Sequence, residues 1–187
     1  FIAIILVCLI STVLGMGLAS SAAYIITAIS VGPALLDMGF PLMVAHFIMI
    51  WFSINSEITP PVGLAAIVAA GIAKADPWKT MFTSFKFSKG LYILPFLFYY
   101  RPEMLLQGSL LDFSITTVVV MFALTSLAAA IEGYLSTSLF IYERVLLFLC
   151  AGPLFIPGRI WDALGVSIFA LVFFLQKRRA RNVQFAR

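Results

Sequence analysis

The chain opens with a long apolar segment, residues 1–36, that contains no Asp, Glu, Lys, Arg or His. This segment is longer than the roughly 20 residues of one membrane crossing, and it is too short for two crossings joined by a polar loop. Glycines and serines interrupt it over residues 15–21, and irregular backbone at membrane depth survives only inside protein or beside a wet cavity. The pattern therefore predicts a re-entrant hairpin with helices over 1–14 and 21–36 and its tip at 15–21.

A second apolar stretch, residues 41–73, is interrupted by Pro60 and Pro61. Proline has no amide hydrogen to donate, and its ring disfavours helical geometry for the preceding residue, here Thr59. The helix must therefore unwind at this point and leave carbonyl groups without partners. We predict one crossing over 41–73 that is built from two half-helices.

Lysines dominate the next segment, 74–89, where four of them face a single acidic residue, Asp76. The positive-inside rule places this basic loop in the cytoplasm. The hydropathy beyond it predicts a transmembrane helix over 90–110, additional C-terminal transmembrane helices over 111–176 and a basic cytoplasmic tail over 177–187. With this topology, the hairpin at the start of the chain opens toward the outside.

Two interpretations remain open for the segment around Glu143 and Arg144, which fall inside an apolar run. Either 134–157 crosses the membrane, or 132–144 lies in the interface and 145–157 forms a short span. The hydropathy does not separate these alternatives. Both basic segments lie on the same side of the membrane in either case.

The composition restricts the class of protein. Apolar residues make up 63% of the 187 residues and charged residues 11%, against roughly 25% charged in soluble domains, so a soluble fold is excluded. Disorder requires low hydrophobicity, and the net charge of +4 lies mostly in two short segments, which argues against nucleic-acid binding. We predict an all-α integral membrane protein. Because the chain begins directly with Phe1 in an apolar run, it is expected to be a piece of a longer polypeptide.

The two backbone breaks are the candidate binding segments. Secondary transporters bind ions and substrates at such breaks, where loose carbonyls take cations and half-helix N-termini attract anions. Hard oxygen ligands suit a small cation such as Na⁺, which we expect near the backbone carbonyls of Gly17 and Thr59. The candidate residues are Gly15, Gly17, Ser20 and Ser21 at the tip, and Ser56, Thr59, Pro60, Pro61 and Gly63 in the broken helix.

Two titratable residues extend this hypothesis. Glu57 is a candidate ion-coordinating or proton-linked carboxylate, or simply an interfacial residue, and His46 is a candidate proton relay or a hydrogen-bonded interior histidine. No nucleophile and base cluster points to an enzyme, and no cofactor besides the coupling ion is expected. One alternative is a non-transporting membrane scaffold or assembly subunit, because Gly and Pro are common in membrane helices and small hydroxyl residues permit close packing. A second alternative is a proton-coupled carrier of the same architecture, which would depend on His46 and Glu57.

At the breaks the sequence resembles a known family. The segments LGMGLASSAAYIITAISVGPALLDMG, AHFIMIWFSINSEITPPVGLAAIVAAGIAKADPWKT and ILPFLFYYRPEMLLQG resemble the C-terminal half of the large membrane subunit of TRAP transporters, specifically the fused permeases of the TAXI branch. The similarity covers about residues 1–110, and the later ERVLLF and WDALGVSIF segments resemble that branch's extra C-terminal helices. Two departures are Ala19-Ser20-Ser21, where the branch commonly has Pro-Thr-Thr, and Gly63, where it commonly has Ala.

This resemblance implies an elevator-type secondary transporter of a bacterial or archaeal cytoplasmic (inner) membrane. Such a transporter takes an organic anion, usually a carboxylate, from an extracytoplasmic solute-binding protein and couples uptake to Na⁺. Residues 15–21 would form the tip of its second hairpin and 59–63 the facing break, with one Na⁺ between them and the substrate beside it. The resemblance also implies a partner, the missing N-terminal half of the same permease. Since 1–73 contains no Lys or Arg, helix N-termini, hydroxyls or the sodium itself would supply the counter-charge.

Overall fold

The computed structural model describes residues 1–185, and for residue 154 and residues 179–185 it describes the backbone alone. The described part of the chain is helical and contains no β-strand, which confirms the all-α fold class. Short 3₁₀ helices cover Ser88–Tyr92 and Pro102–Leu105. The α-helices are α1 (Ile2–Leu14), α2 (Ser20–Asp37), α3 (Leu42–Ser56), α4 (Leu64–Ala73), α5 (Pro77–Phe87), α6 (Leu94–Tyr100), α7 (Leu110–Glu132), α8 (Ile141–Phe155) and α9 (Arg159–Phe185).

The chain divides into two compact units, unit 1 from Phe1 to Leu105 and unit 2 from Leu106 to Arg187. In unit 1, helix α3 is central, and α1, α2 and α6 pack against it. Its buried core includes Ile4, Leu35 and Phe52. In unit 2, α7, α8 and α9 pack on one another around a second core that includes Leu147 and Val172.

Among the residues that the structure describes, three helices are long and apolar enough to cross a membrane, namely Ser20–Asp37, Leu110–Glu132 and Arg159–Arg178. Helices α1, α3 and α4 are apolar but shorter than a full crossing. Helices α3 and α4 have the length that half-helices of a broken crossing require, because each covers only part of the ~30 Å hydrocarbon core. Of the two arms of the predicted hairpin, α1 is short, whereas α2 is itself long enough to cross. The orientation of these elements relative to the membrane stays a prediction.

The segment 90–110 is not the single transmembrane helix that the hydropathy predicts. It contains the end of one 3₁₀ helix, the seven-residue helix α6, a second 3₁₀ helix and the beginning of α7. Helix α6 ends at Arg101, directly before Pro102, because a residue that precedes proline avoids helical geometry. The helical conformation is interrupted again at Leu106 and Gly108, whose φ angles are 59° and 157°.

Three other boundaries also differ from the prediction. The basic segment 74–89 is largely the helix α5 and not a loop. Residues 133–140 form a turn before α8 begins at Ile141, so the helix starts later than either interpretation of 132–157 has it, and its placement relative to the membrane stays open. The predicted tail at 177–187 continues helix α9 as far as Phe185, and its last two residues lie outside the described part.

Candidate functional site

The hairpin tip is the non-helical segment 15–19 between α1 and α2. Gly17 has a φ of 75°, a left-handed backbone conformation that glycine adopts without steric cost. In the described part of the chain, no backbone N–H donates to the carbonyl oxygens of Met16, Gly17 or Leu18. The tip therefore carries three carbonyl oxygens without a backbone donor, and the binding of a cation to them stays a prediction.

The second break is the segment 57–63 between α3 and α4, where the Pro60–Pro61 peptide bond is cis. Within the residues that the structure describes, no backbone N–H donates to the carbonyls of Thr59, Pro60 or Pro61. The N–H of Ala65 instead donates to the Glu57 carbonyl at 3.0 Å and ties the start of α4 to the end of α3. This break is thus a loop that is tied to α4 by one backbone hydrogen bond and that carries carbonyl oxygens without a backbone donor.

The two breaks contact each other. The Ser56 hydroxyl, at the end of α3, lies 3.3 Å from the Gly15 carbonyl oxygen and 2.7 Å from that of Ser53. A Cβ atom on Gly15 would overlap the Ser56 side chain and lie 2.9 Å from the Ser11 carbonyl oxygen. A Cβ atom on Gly17 would lie 3.8 Å from the Val62 side chain. The glycines of the tip therefore allow it to pack directly against the broken helix.

Glu57 makes the strongest connection between the hairpin and the broken helix. Its Oε1 accepts hydrogen bonds from the backbone N–H of Ser20 at 2.7 Å and from the Ser20 hydroxyl at 2.5 Å. The N-cap residue of α2, Ala19, has no side-chain oxygen for this purpose. Glu57 thus caps α2 from another helix, and its negative charge lies at the positive end of the α2 dipole.

The contact between Glu57 and Ser20 reduces the number of helix N-termini that could attract an anion. The N-terminus of α2 is already occupied by the Glu57 carboxylate. The N-terminus of α4 has no side-chain cap, although the N–H of Gly63 donates to the sulfur of Met81 on α5 at 3.2 Å. The N–H of Ala65 also has a partner, the Glu57 carbonyl, so the backbone donors left for an anion at the start of α4 are, among the described residues, those of Leu64 and Ala66.

The hydroxyl groups of the candidate residues have different environments. Thr59 is buried, donates to the Asn55 carbonyl oxygen at 2.5 Å and shares a short hydrogen bond with the Tyr92 hydroxyl. The hydroxyls of Ser20 and Ser56 also have protein partners, whereas Ser21 is exposed in the first turn of α2. Because a hydroxyl has one hydrogen and two lone pairs, each can still accept or coordinate, but the free carbonyls are the better cation ligands.

His46 does not lie at the breaks. Its Nδ1 is hydrogen-bonded to the Tyr24 hydroxyl at 2.8 Å, which links α3 to α2. Glu57 is eleven residues further along the chain, or roughly 16 Å at 1.5 Å per helical residue. The structure therefore groups Glu57 with the tip and leaves His46 apart from it.

Sequence reasoning missed two residues that support the break, Met81 and Tyr92. Tyr92 falls in the segment that hydropathy describes as a transmembrane helix, so nothing in the pattern indicates its contact with Thr59. Met81 lies on α5, whose start is marked by Asp76-Pro77, an N-cap residue followed by proline at the first helical position. That signal was present in the sequence and would have predicted the helix.

Comparison with known proteins identifies a family. A family model described as "Tripartite ATP-independent periplasmic transporter, DctM component" matches residues 1–113. No curated protein and no solved structure matches the chain. The matched range covers more than half of the 187 residues and contains both backbone breaks.

Proposed function

Because the chain belongs to the DctM family of tripartite ATP-independent periplasmic transporter components, we propose that its two breaks form a sodium-coupled site for the import of an organic anion. The family and the apolar helices support a multi-pass membrane component of a transporter. The substrate class that we propose is a carboxylate. The coupling ion, the direction and the substrate are the parts of this proposal that need testing.

The proposal rests on two groups of backbone carbonyls, one at each break, that have no backbone hydrogen-bond donor among the described residues. Backbone oxygens around Gly17 and around Thr59 lack N–H donors in the described part of the chain, and their segments touch through Gly15 and Ser56. A carbonyl within the hydrocarbon core of a membrane needs a partner, because no water is there to donate a hydrogen bond to it. A bound cation would satisfy several of them at once.

The charges around the breaks favour this assignment. Residues 1–73 contain no Lys or Arg, so no basic side chain in this part of the chain is available to neutralise a bound carboxylate. The Glu57 carboxylate is compensated by its hydrogen bonds to Ser20 at the N-terminus of α2. A sodium ion on the free carbonyls, together with the uncapped N-terminus of α4, would then supply the positive charge for the substrate.

The partner, the membrane and the transport movement that we propose are those expected for a member of this family. We propose that an extracytoplasmic solute-binding protein delivers the anion, that the chain works in a bacterial or archaeal inner membrane, and that the substrate crosses by an elevator movement together with the first half of the permease. The contact between the hairpin and the broken helix supports such a movement, because Glu57 holds the two elements together as one body.

Uptake measurements on the complete transporter test the proposal. Cells expressing it with its binding protein are given a panel of radiolabelled carboxylates under a sodium gradient or a choline gradient at constant pH. We expect uptake only with sodium. Thr59→Ala removes the hydrogen bonds to Asn55 and Tyr92, and the half-saturating sodium concentration should rise about tenfold, as one lost interaction of ~1.4 kcal/mol predicts.

Thr83→Ala is the matched control. The Thr83 hydroxyl donates to the Lys79 carbonyl on exposed α5, away from both breaks, so sodium dependence should not change. Glu57→Gln retains an acceptor oxygen and should slow uptake without abolishing its sodium dependence. Uptake that follows the pH gradient and stops in Glu57→Gln would instead support proton coupling. Correctly inserted protein without uptake of any carboxylate would favour the scaffold alternative.

A further inference from the structure

Helix α5 is amphipathic and packs on unit 1 through one side only. Met81 faces inward, is buried, and accepts the hydrogen bond from the Gly63 N–H. Thr80 and Ser84 flank it on the inner side and are half-buried. The rest of the helix surface is open, apart from Phe85, whose ring also contacts that of Tyr92 with centroids 5.5 Å apart.

Aromatic side chains form a stripe along one open side of α5. Trp78, Phe82 and Phe85 are 57%, 58% and 40% exposed. Their spacing of four and three residues places them on one helical face, and the rings of Trp78 and Phe82 stack with centroids 6.5 Å apart. A stripe of this kind is unfavourable in contact with water, which marks it as an interaction surface.

Lysines border this aromatic stripe. Lys79 and Lys86 are seven residues apart, are both exposed, and lie next to the stripe on the side of the helix opposite Met81. Within the described part of the chain, no carboxylate pairs with either ammonium group. The nearest acidic residue in sequence, Asp76, accepts the Lys79 backbone N–H at 2.8 Å as the N-cap of α5. The open surface therefore combines aromatic rings with net positive charge.

We propose that α5 lies in the membrane interface and binds anionic phospholipid headgroups. The rings of Trp78, Phe82 and Phe85 enter the boundary between headgroups and acyl chains, and Lys79 and Lys86 contact the lipid phosphates. Interfacial helices have this arrangement of aromatic and basic faces, and lysine stems extend along the apolar surface toward the headgroups. A protein partner for the same face would have to supply carboxylates for both lysines, whereas an anionic leaflet supplies phosphates at any position. This inference is independent of the coupling ion and the substrate.

Tryptophan quenching by brominated lipids tests this proposal on the full chain in nanodiscs. The sequence has three tryptophans, Trp51, Trp78 and Trp161, and Trp78→Phe identifies the signal that comes from α5. Nanodiscs of phosphatidylcholine contain a small fraction of either brominated phosphatidylglycerol or brominated phosphatidylcholine. We expect stronger quenching by the brominated phosphatidylglycerol, and we expect the excess to disappear in Trp78→Phe.

The double variant Lys79→Gln/Lys86→Gln should remove the preference for phosphatidylglycerol. Each lysine near an anionic surface contributes about fivefold in lipid affinity, corresponding to ~1 kcal/mol, so the pair should weaken binding by more than tenfold. The variant Lys177→Gln/Arg178→Gln removes the same charge from exposed positions on α9 and should keep the preference. Equal quenching of Trp78 by both lipids, or no lipid quenching of Trp78, would overturn the proposal, the second outcome by showing that protein covers the stripe.

Discussion

The two units of this chain differ in whether the carbonyl groups at the ends of their helices have hydrogen-bond donors. In unit 2, the Arg144 side chain donates to the carbonyls of Ala130 and Ile131 at 2.8 and 2.9 Å and so closes the C-terminal end of α7. In unit 1, the carbonyls around Gly17 and Thr59 receive no backbone N–H within the described residues. Carbonyl groups at a helix end therefore have side-chain donors in unit 2, whereas those at the breaks of unit 1 have no backbone donor in the part of the chain that the structure describes.

The polar side chains of the two units show the same contrast. In unit 2, Glu143 accepts from the Phe140 N–H at 2.8 Å and from the Gln176 amide at 3.3 Å, and Gln176 in turn accepts from the Ser136 N–H at 3.1 Å. This network satisfies the backbone of the turn between α7 and α8. In unit 1, Glu57 caps α2, but the nearby carbonyl oxygens of residues 59–61 have no backbone donor among the described residues. The ion site that we propose therefore lies in unit 1, whereas these polar groups of unit 2 bond to the unit's own backbone and side chains.

The largest effect on transport is expected for Gly15→Ala. A methyl group there overlaps Ser56 and lies 2.9 Å from the Ser11 carbonyl, so the tip must move away from the broken helix. Overpacking of this kind costs about 1–3 kcal/mol. Sodium-dependent uptake should fall more than tenfold, and thermal unfolding in detergent should occur at a lower temperature.

Gly71→Ala is the control for this substitution. A Cβ atom on Gly71, within α4, meets no atom within 4 Å. Alanine is favoured over glycine in a helix by roughly 0.5–1 kcal/mol, so this variant should be at least as stable as the wild type and transport normally. A Gly15→Ala protein with normal sodium-dependent uptake would show that the contact between the breaks is not needed.

An intermediate effect is expected for Gly17→Ala, compared with Gly39→Ala. Both glycines have left-handed backbone, with φ of 75° and 83°, and alanine costs about 1–2 kcal/mol at such positions. Both variants should lose similar stability. Only Gly17→Ala should raise the half-saturating sodium concentration, by severalfold, because only Gly17 lies beside the free carbonyls. Equal sodium affinity in the two variants would count against a role for the tip.

The smallest effect on transport is expected for Arg144→Gln in unit 2. The substitution removes charge-assisted hydrogen bonds to the end of α7, each worth roughly 1.5–3 kcal/mol. Thermal stability should fall clearly, while the sodium dependence of uptake by the remaining folded protein should match the wild type. A shift in sodium affinity would contradict the division of roles between the two units.

Backbone chemistry made part of this structure predictable. Glycines and prolines indicated both breaks, because the loss of helical hydrogen bonds at Pro60 and Pro61 does not depend on tertiary contacts. The observed ends of α1, α3 and α4 lie within a few residues of the predicted ones. The capping of α2 by Glu57 was not predictable, because it joins residues 37 positions apart whose contact depends on packing.

The hydropathy pattern did not predict the helix boundaries where few polar residues mark the ends of the helices. The segment 90–110 has the apolar composition of a crossing, but Pro95 and Pro102 restrict α6 to seven residues. The charged pair Glu143 and Arg144 was ambiguous for a similar reason, since average hydropathy does not show that a helix begins at Ile141. In the structure, both residues lie in the first turn of α8, where they can reach the backbone of the preceding turn and of α7.

Hydrogen exchange measured by mass spectrometry tests the central claim most directly. The complete transporter is compared in sodium, potassium and choline at equal ionic strength, with peptides that cover the tip (15–20), the break (57–64) and the turn of unit 2 (133–140). The account predicts that sodium alone slows exchange at the tip and at the break together, and that the turn of unit 2 does not respond. Exchange that is the same in sodium and choline at both breaks, or equally slowed by potassium, would contradict a sodium site between them.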